Sequence, residues 1–551
     1  MIEQYINRLE FESYEDFQKN FKFNIPSNFN FGYNVVDGWA KIQPDKPALI
    51  WENDQAQEKT FTFSEIKTLS DKAANVFTSH GIKKGDVVLL MLMERPEVWI
   101  SLVALQKIGA IAVPATYQLT EKDIIYRCKS ANVKMIVCAD NDYIISNINK
   151  SRKDCPSVQT YAIVSDHKID GFVSFRDEIT NASTKWEKIV NNNNDIMLIY
   201  FSSGTTGMPK MVAHDFTYPI GQIVTAKFWH CVDENSRHMV VADSGWAKFG
   251  WGKIYGQWIA GAAIVAFDAE RFSPAKMLEF IEKKKITSFC APPTVYRFLL
   301  KEDLSKHNLS SIKHFSVAGE PLNPEILEKM EGLLGTQIHE GFGQSETTVI
   351  VGYFGNQIKI KPGSMGKPAP IYNVDIFDEH GCSCEDGVVG ALVIKNLNEH
   401  YPTGLLKEYY LDDAANEKAF VNNTYYTGDT AWRDSDGYYW FVGRSDDVIK
   451  CSGYRIGPYE VESALFTHPA VLECAVTAVP DEIRGQVVKA TIVLSKGFSP
   501  SEQLKKEIQE HVKSVTAPYK YPRVIDFVCE LPKTASGKIK RNEIRIKDNI
   551  H

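Results

Sequence analysis

The sequence predicts an α/β protein in which a large N-terminal domain of parallel and mixed sheets, covered by helices, ends in a β-rich subdomain and is followed by a small α+β C-terminal domain. Three observations lead there. Between about residues 60 and 350, short β-rich runs alternate with helical patterns, the order in which parallel sheets acquire covering helices. Beyond about residue 360 the strands shorten and Gly/Asp turns ("DEHG", "CEDG", "DSDG") separate them, the texture of antiparallel β structure. From residue 446 the texture changes once more, and a chain of 551 residues is too long for one ordinary core.

The predicted strands of the first region are, in order, "DVVLLMLM", "GAIAVPAT", "VKMIVCAD", "YAIVSD", "DIMLIYFS", "GAAIVAFD", "ITSFCAPP", "KHFSVAGE" and "TQIHEGF". Helices fall between them on apolar spacing: in "PAKMLEFIEKKK" (274–285), Met277, Phe280 and Ile281 share one face. The most apolar tracts, "VVLLMLM" (87–93) and "GQWIAGAAIVAF" (256–267), fall short of the roughly 18–20 residues a membrane span needs and read as buried core. A boundary belongs at "GRSDD" (443–447), where glycine and charge interrupt the apolar pattern; it divides the chain into 1–445 and 446–551, with the β-rich subdomain at about 360–442. In the last domain "YEVESALFTHP" reads as a helix, and "ECAVTAVPD" and "VVKATIVLS" as strands. "SPSEQLKKEIQEHVKS" reads as a helix opened by a capping box from Ser499 to Glu502, with Pro500 at the first helical position and Leu504, Ile508 and Val512 along one face. The "NNNN" run at 191–194 reads as a solvated loop.

Hydrophobic residues at 44% and charged residues at 24% fit a folded globular chain and exclude a mainly disordered one. A formal charge of −7 supplies no general attraction to nucleic acid, so any bound polyanion must be met by local cations. The opening "MIEQYINRLEFESYEDF" has neither a basic start nor a continuous apolar stretch, which argues against export and for a cytoplasmic protein. Ten scattered cysteines without zinc or disulfide spacing suit a reducing compartment, and the C-x-C of Cys382 and Cys384 reads as a surface loop.

One stretch asks for a ligand. "YFSSGTTGMPK" (200–210) gathers hydroxyls, two glycines and a lysine after an apolar strand, and hydroxyls beside tight turns suit a phosphate. It is not the nucleotide-binding P-loop, which needs four residues between its glycines and a Ser or Thr after the lysine; here two intervene and Met211 follows Lys210. Taken alone, a solvated turn between two strands explains it equally well.

Further stretches follow in order: "AGEP" (318–321), "EGFGQSET" (340–347), "GSMGKP" (363–368), "YYTGDT" (425–430), "GRSDDVIKCSGYRIGPYEVE" (443–462) and "PKTASGKIKR" (532–541). With "SSGTTGMPK" this ordered set, over nearly the whole chain, resembles the adenylate-forming superfamily of AMP-forming acyl-CoA synthetases, luciferases and peptide-synthetase adenylation domains. "ADSGWAKFGWGKIYGQW" followed by "APPTVYRFLL" is most similar to the medium-chain acyl-CoA synthetases.

The resemblance implies a reaction of a carboxylic acid with ATP, Mg²⁺ and coenzyme A, first to an acyl-AMP with release of pyrophosphate and then to a thioester. It assigns the ATP phosphates to Ser202, Ser203, Gly204, Thr205, Thr206, Gly207 and Lys210. Gly319, Glu320 and Pro321 would lie along the adenine with Phe342 stacked on it, although an apolar core role competes for Phe342. Gly341, Gly343, Gln344 and Ser345 belong to the same nucleotide surface. Asp429 would accept both ribose hydroxyls, for which a carboxylate has two oxygens, and Arg444 would also reach the ribose; an Asx turn is the competing reading of Asp429.

The attack of a carboxylate on a phosphate brings two anions together, so cations must bridge them, and the substrate is itself the nucleophile. Glu346 is the implied metal carboxylate, and Lys538 the lysine that reaches both the carboxylate and the α-phosphate. For thioester formation the resemblance implies a mobile C-terminal domain that turns about Asp446, bringing in Gly453, whose missing side chain lets the pantetheine pass; Lys450 and Arg455 would meet anionic groups of CoA. Lys538, Glu346 and Gly453 are thus the implied catalytic set.

Acetyl-specific relatives close the acyl pocket with a tryptophan directly before the Gln of "Q-[ST]-E". Gly343 stands there, which predicts a pocket for short- to medium-chain or aryl acids rather than acetate, with Trp246 at its mouth and Trp251 and Trp258 in the core. Two rivals remain: a ligase that loads a carrier-protein thiol, and a non-catalytic acyl-nucleotide binding protein, against which the intact Glu346, Asp429, Arg444 and Lys538 speak. No nucleic-acid partner and no membrane span are expected, and a homo-oligomer is compatible with the sequence.

Overall fold

A computed structural model describes residues 1–548 apart from 203–207, 321, 323, 356, 452–453, 482–483 and 534–538. All nine runs expected as strands between residues 87 and 343 are strands, and they divide between two sheets. In the eight-stranded sheet the order is Glu408–Tyr409, Lys210–Asp215, Ile196–Ser202, Ile111–Pro114, Val87–Met91, Val133–Ala139, Thr160–Val164 and Val173–Ser174. The first two pairings are antiparallel and the rest parallel. The nine-stranded sheet has six adjacent parallel strands, Ile338–Gly343, His314–Val317, Ser288–Ala291, Arg237–Val240, Ala263–Asp268 and Pro47–Asn53, with antiparallel strands at both edges.

Parallel strands covered on both faces need side chains that are apolar in both directions, and Val87–Met91 is buried at every position. Between the strands, the helix Pro274–Lys284 buries Met277, Phe280 and Ile281, as its spacing requires. In such sheets the loops at the carboxyl ends of neighbouring strands share one rim. The segments after Arg237–Val240, Ser288–Ala291, His314–Val317 and Ile338–Gly343 therefore converge, and they carry the "DSGW", "PPT", "GE" and "QSE" residues.

The β-rich stretch forms a third, antiparallel sheet of Val374–Phe377, Gly390–Ile394, Thr424–Arg433 and Phe420–Val421, with Tyr439–Arg444 paired to Thr424–Arg433. A fourth sheet follows, of Ile449–Cys451, Tyr454–Ile456, Val471–Asp481, Gly485–Leu494 and Val524–Phe527, over a cluster that includes Val461, Leu465, Ile492 and Ile508. The helix Pro458–Phe466 touches the earlier part of the chain: Tyr459 donates to the Leu322 carbonyl at 3.2 Å, and the Arg297 guanidinium lies 4.7 Å from the Phe466 ring.

Two local expectations are corrected. The last long helix, Glu502–Val515, is capped by Ser501, whose hydroxyl accepts from the Leu504 amide at 3.0 Å; Ser499 and Pro500 precede it. The run 191–194 is not simply solvated. Asn191 is buried, accepting from Asn30 Nδ2 and donating to the Phe29 carbonyl, while Asn193 donates to the Pro26 carbonyl and accepts from the Phe29 amide. Of the C-x-C pair Cys382 is exposed but Cys384 is buried. Among the described residues no helix is long and apolar enough to cross a membrane.

Candidate active site

Three sheets meet where the polar motifs converge. Ser202 and Lys210 are cross-strand partners at the end of an antiparallel pair, so the hydroxyl-rich loop is the connection of that hairpin. Ser203, Gly204, Thr205, Thr206 and Gly207 lie outside the described residues, as do Pro321, Gly453 and Lys538. Lys210 Nζ stands 4.5 Å from the centre of the Tyr409 ring, and the Tyr409 hydroxyl donates to Glu346 Oε1 at 3.0 Å. Glu346 follows the strand Ile338–Gly343, and its carbonyl accepts from the Leu406 amide at 2.6 Å. The Ser345 carbonyl accepts from His214 Nε2 at 2.7 Å; burial pushes His214 down to about 4, so the ring is neutral and holds its proton on that nitrogen.

A second group of contacts ties the end of Ile338–Gly343, in the nine-stranded sheet, to the antiparallel third sheet. Gln344 Nε2 donates to Asp429 Oδ2 at 2.5 Å and to the Thr427 carbonyl at 2.7 Å, and Gln344 Oε1 accepts from the Tyr425 hydroxyl at 2.9 Å. Asp429 and Arg444 are cross-strand partners, with Arg444 Nη1 3.2 Å from Asp429 Oδ1. Burial pushes the Asp429 carboxyl up to about 6 against the pull of Arg444 and Gln344, and the surrounding carboxylates hold Arg444 firmly protonated. Gly428 must be glycine: its φ is +73° and a Cβ would stand 3.0 Å from Arg444 Nη2.

On the rim beside these groups, Gly319 has φ +102° and an open face, while Glu320 accepts from Thr294 Oγ1 at 2.8 Å. Phe342 is half-buried against the main core, 5.9 Å from the Phe441 ring. Gly341 is held to glycine by the Trp229 indole, which would lie 2.5 Å from a Cβ. Gly343 does not open the space expected of it. A Cβ there would stand 2.4 Å from both the Thr348 carbonyl and the Trp251 ring, so an indole from another element occupies that position, fixed by its Nε1 donating to the Thr347 carbonyl at 3.0 Å. Trp258 is fully buried and Trp246 half-buried, as the first turn of the helix Ala247–Gly252 begins.

Asp446 is exposed in the turn between Tyr439–Arg444 and Ile449–Cys451, a position suited to a hinge. Lys450 and Arg455 are cross-strand partners in the next hairpin. Sequence reading missed Tyr409, Tyr425, His214 and Trp251 as parts of the site. Tyr409 lies in "EYY" (408–410), and nothing in a single sequence signals that two residues there form an edge strand on the hairpin of Ile196–Ser202 and Lys210–Asp215. It also missed Glu340, a buried acid one position before Gly341, whose Oε1 accepts from the Leu322 amide at 3.3 Å.

Among the described residues no group of three or more His, Cys, Asp or Glu could hold a metal ion. A lone carboxylate does fit Mg²⁺, which keeps waters and takes one or two carboxylates together with substrate phosphates. Glu346 beside the phosphate hairpin is such a carboxylate, with Tyr409 engaging one of its two oxygens.

A hairpin whose loop is rich in hydroxyls, a lone acid beside it and a buried carboxylate–arginine pair, set on an α/β fold, are the arrangement expected of a nucleotide-activating enzyme. The family model described as "AMP-binding enzyme" matches residues 36–410, and that described as "AMP-binding enzyme C-terminal domain" matches 460–538. The chain belongs to the AMP-binding enzyme family. It is 42% identical over 547 residues to the mitochondrial acyl-coenzyme A synthetase ACSM3 of Rattus norvegicus, covering 98% of this chain and 94% of the relative. To the mitochondrial ACSM5 of Homo sapiens it is 41% identical, covering 95% and 91%. Among solved structures it resembles the anthranilate CoA ligase AuaEII in complex with anthranoyl-AMP (TM-score 0.87, 29% identity, 95% and 98% covered). It also resembles a benzoate CoA ligase from Burkholderia xenovorans LB400 (TM-score 0.82, 25% identity, 94% and 100% covered). The expected family and fold are borne out. The expected cytoplasmic location is not: the relatives that match over almost the whole chain are mitochondrial enzymes, and the comparison points there instead.

Proposed function

We propose that the chain activates a carboxylic acid with ATP and passes the acyl group to coenzyme A at this one site. It is an acyl-CoA synthetase, a reading supported by likeness to such enzymes over nearly its full length. The observation that carries the site assignment is the linked set Lys210–Tyr409–Glu346 and Tyr425–Gln344–Asp429–Arg444, which joins a phosphate hairpin to a ribose-type carboxylate.

Ser202, Lys210 and the loop between them take the β and γ phosphates, and Asp429 with Arg444 takes the ribose diol. Gly319, Glu320 and Phe342 border the adenine. Glu346 would hold Mg²⁺, which would supply positive charge to the phosphates and to the departing pyrophosphate. Lys538 draws the substrate carboxylate and the α-phosphate together, a task for a cation because both partners are anionic. Residues 446–551 then turn about Asp446 as a mobile domain, exchanging Lys538 for Gly453, with Lys450 and Arg455 toward CoA. The acid is a short- to medium-chain or aryl carboxylic acid rather than acetate, a reading supported by likeness to acyl-coenzyme A synthetases and to anthranilate and benzoate CoA ligases and not by Gly343, whose side is filled by the Trp251 ring.

Acid-dependent pyrophosphate release, assayed over a panel of carboxylic acids with ATP, Mg²⁺ and CoA, tests the activity; no release with any acid, or transfer to a carrier-protein thiol but not to CoA, overturns it. Lys538→Ala should abolish adenylate formation yet still convert supplied acyl-AMP to thioester, whereas Gly453→Leu should do the reverse. Equal loss of both steps in both variants would sink the alternation of the two faces.

A further inference from the structure

We propose that Tyr409 is the positioning residue that sets the phosphate lysine and the metal carboxylate of this site relative to each other, a role that rests on the reading of Lys210 and Glu346 given above. Tyr409 is 4% exposed and belongs to a two-residue strand paired to the phosphate hairpin, opposite Val212. Lys210 and Val212 are two apart on their strand and so share a face, which places the Tyr409 ring diagonally beside the Lys210 side chain. The ammonium lies over that ring, 4.5 Å from its centre, where the aromatic quadrupole attracts it. The other end of the same side chain, the hydroxyl, donates to Glu346 Oε1 at 3.0 Å. One rigid ring therefore holds a cation on its face and an anion at its tip.

The ring is itself fixed. The Asn416 side chain clamps its backbone from both directions, accepting from the Tyr409 amide at 2.7 Å and donating to the Tyr409 carbonyl at 2.9 Å. Flanking amides add two sheet contacts, Lys407 to the Ala213 carbonyl at 2.7 Å and Tyr410 to the Met211 carbonyl at 2.8 Å. A carboxylate oxygen can only accept, so the phenol hydroxyl acts toward Glu346 as the donor. An unrestrained lysine and glutamate this near each other would pair directly and cancel; with the ring between them, each charge is held while its remaining hydrogen-bonding capacity faces phosphate and metal. The sequence feature that carries this is the first tyrosine of "EYY" (408–410).

The test is calorimetric titration of the full chain with ATP, once in EDTA and once in Mg²⁺, for the wild type, Tyr409→Phe, Tyr409→Leu and Glu346→Gln. Tyr409→Phe keeps the ring under Lys210, so its affinity for ATP in EDTA should stay within twofold of wild type, while the gain in affinity on adding Mg²⁺ should shrink about ten- to a hundredfold, the scale of one hydrogen bond to a charged group. Tyr409→Leu should weaken ATP in both media. Circular dichroism and a thermal unfolding midpoint close to those of the wild type report that all three variants are folded. If Glu346→Gln loses the Mg²⁺ gain but Tyr409→Phe does not, the proposal fails alone. If Tyr409→Phe weakens ATP in EDTA as much as in Mg²⁺, Tyr409 is a structural residue and the proposal fails as well. If Glu346→Gln keeps the full gain, the assignment of Glu346 falls and takes the proposal with it.

Discussion

Glu340 shows how much a single misplaced charge would cost beside the nucleotide site. It is 8% exposed at the end of Ile338–Gly343, and burial pushes its carboxyl from 4.5 up to about 8. A carboxyl raised in this way stabilises the fold fully below its unfolded value near 4.5, and that stability is lost as pH rises through about 8, because the folded chain holds a proton that the unfolded chain has released. Glu340→Gln should therefore gain on the wild type by roughly 2 kcal/mol between pH 6 and pH 8, read as the difference in urea unfolding free energy at the two values. A difference that does not grow with pH would mean that Glu340 is ionised in the fold. Gly343 makes the complementary point about space: Gly343→Ala should destabilise by about 1–3 kcal/mol, since its Cβ would meet a backbone carbonyl as well as an indole. That Gly341 and Gly343 mattered was legible from the "EGFGQSET" motif. Why they must be glycine was not, because Trp229 and Trp251 reach them from elements distant in the sequence.

The long parallel strands could be read directly because burial on both faces makes them continuous apolar runs, as in Val87–Met91. Short elements could not. Glu408–Tyr409 has no periodicity to read, and Ser499 and Ser501 are both plausible caps around Pro500, a choice decided by which hydroxyl reaches an amide of the first turn. The helix Arg541–Lys547, which follows the "SGK" segment, is another element whose setting was invisible. Arg541 Nη2 lies 2.7 and 2.8 Å from the two oxygens of buried Glu462, and Arg541 and Arg545 both pair with Asp447, next to the hinge position. Neither partner announces the other in the sequence. Arg541→Met leaves Glu462 buried without its cation, and with a quarter of the arginine side chain exposed the cost should be roughly 2–4 kcal/mol. Chemical unfolding of the full chain checks it, and Glu462→Gln in the Arg541→Met background should recover part of the loss; no recovery would mean that the pair is not what holds the helix.

Across the whole molecule, neutral buried histidines and protonated buried carboxyls oppose one another, and their balance sets the pH range of the fold. The rings of His230 and His238 lie tilted with centres 4.4 Å apart and those of His314 and His339 meet edge-on at 4.5 Å, tied by contacts such as His230 Nδ1 to Ser316 Oγ at 2.8 Å and His314 Nε2 donating to the Trp229 carbonyl at 2.7 Å. Burial lowers all of them, His238 and His314 to about 3, as it lowers His214 to about 4. Below 6.5 the unfolded chain protonates these rings and the folded chain does not, so each one makes stability fall as pH falls, down to its folded value. Burial also raises Glu94 to about 7, Glu340 to about 8, and Asp243, Asp268 and Asp429 to about 6, and each of these makes stability fall as pH rises. Between about pH 4.5 and 6 the two sets oppose each other; above 6.5 the histidines are silent and Glu94 and Glu340 dominate, and below about 4 the histidines act together with carboxyls that neighbouring groups hold low, such as Glu58 with Lys284 and Lys283. The unfolding free energy should accordingly show a plateau over mildly acid pH with a decline on either side. His238→Asn should remove about 1.4 kcal/mol per pH unit from the slope between pH 4 and 6, tilting that plateau so that stability falls as pH rises. The slope is the right measurement, because packing lost with the ring shifts stability equally at every pH and leaves the proton count untouched; an unchanged slope would mean that His238 is protonated in the folded chain.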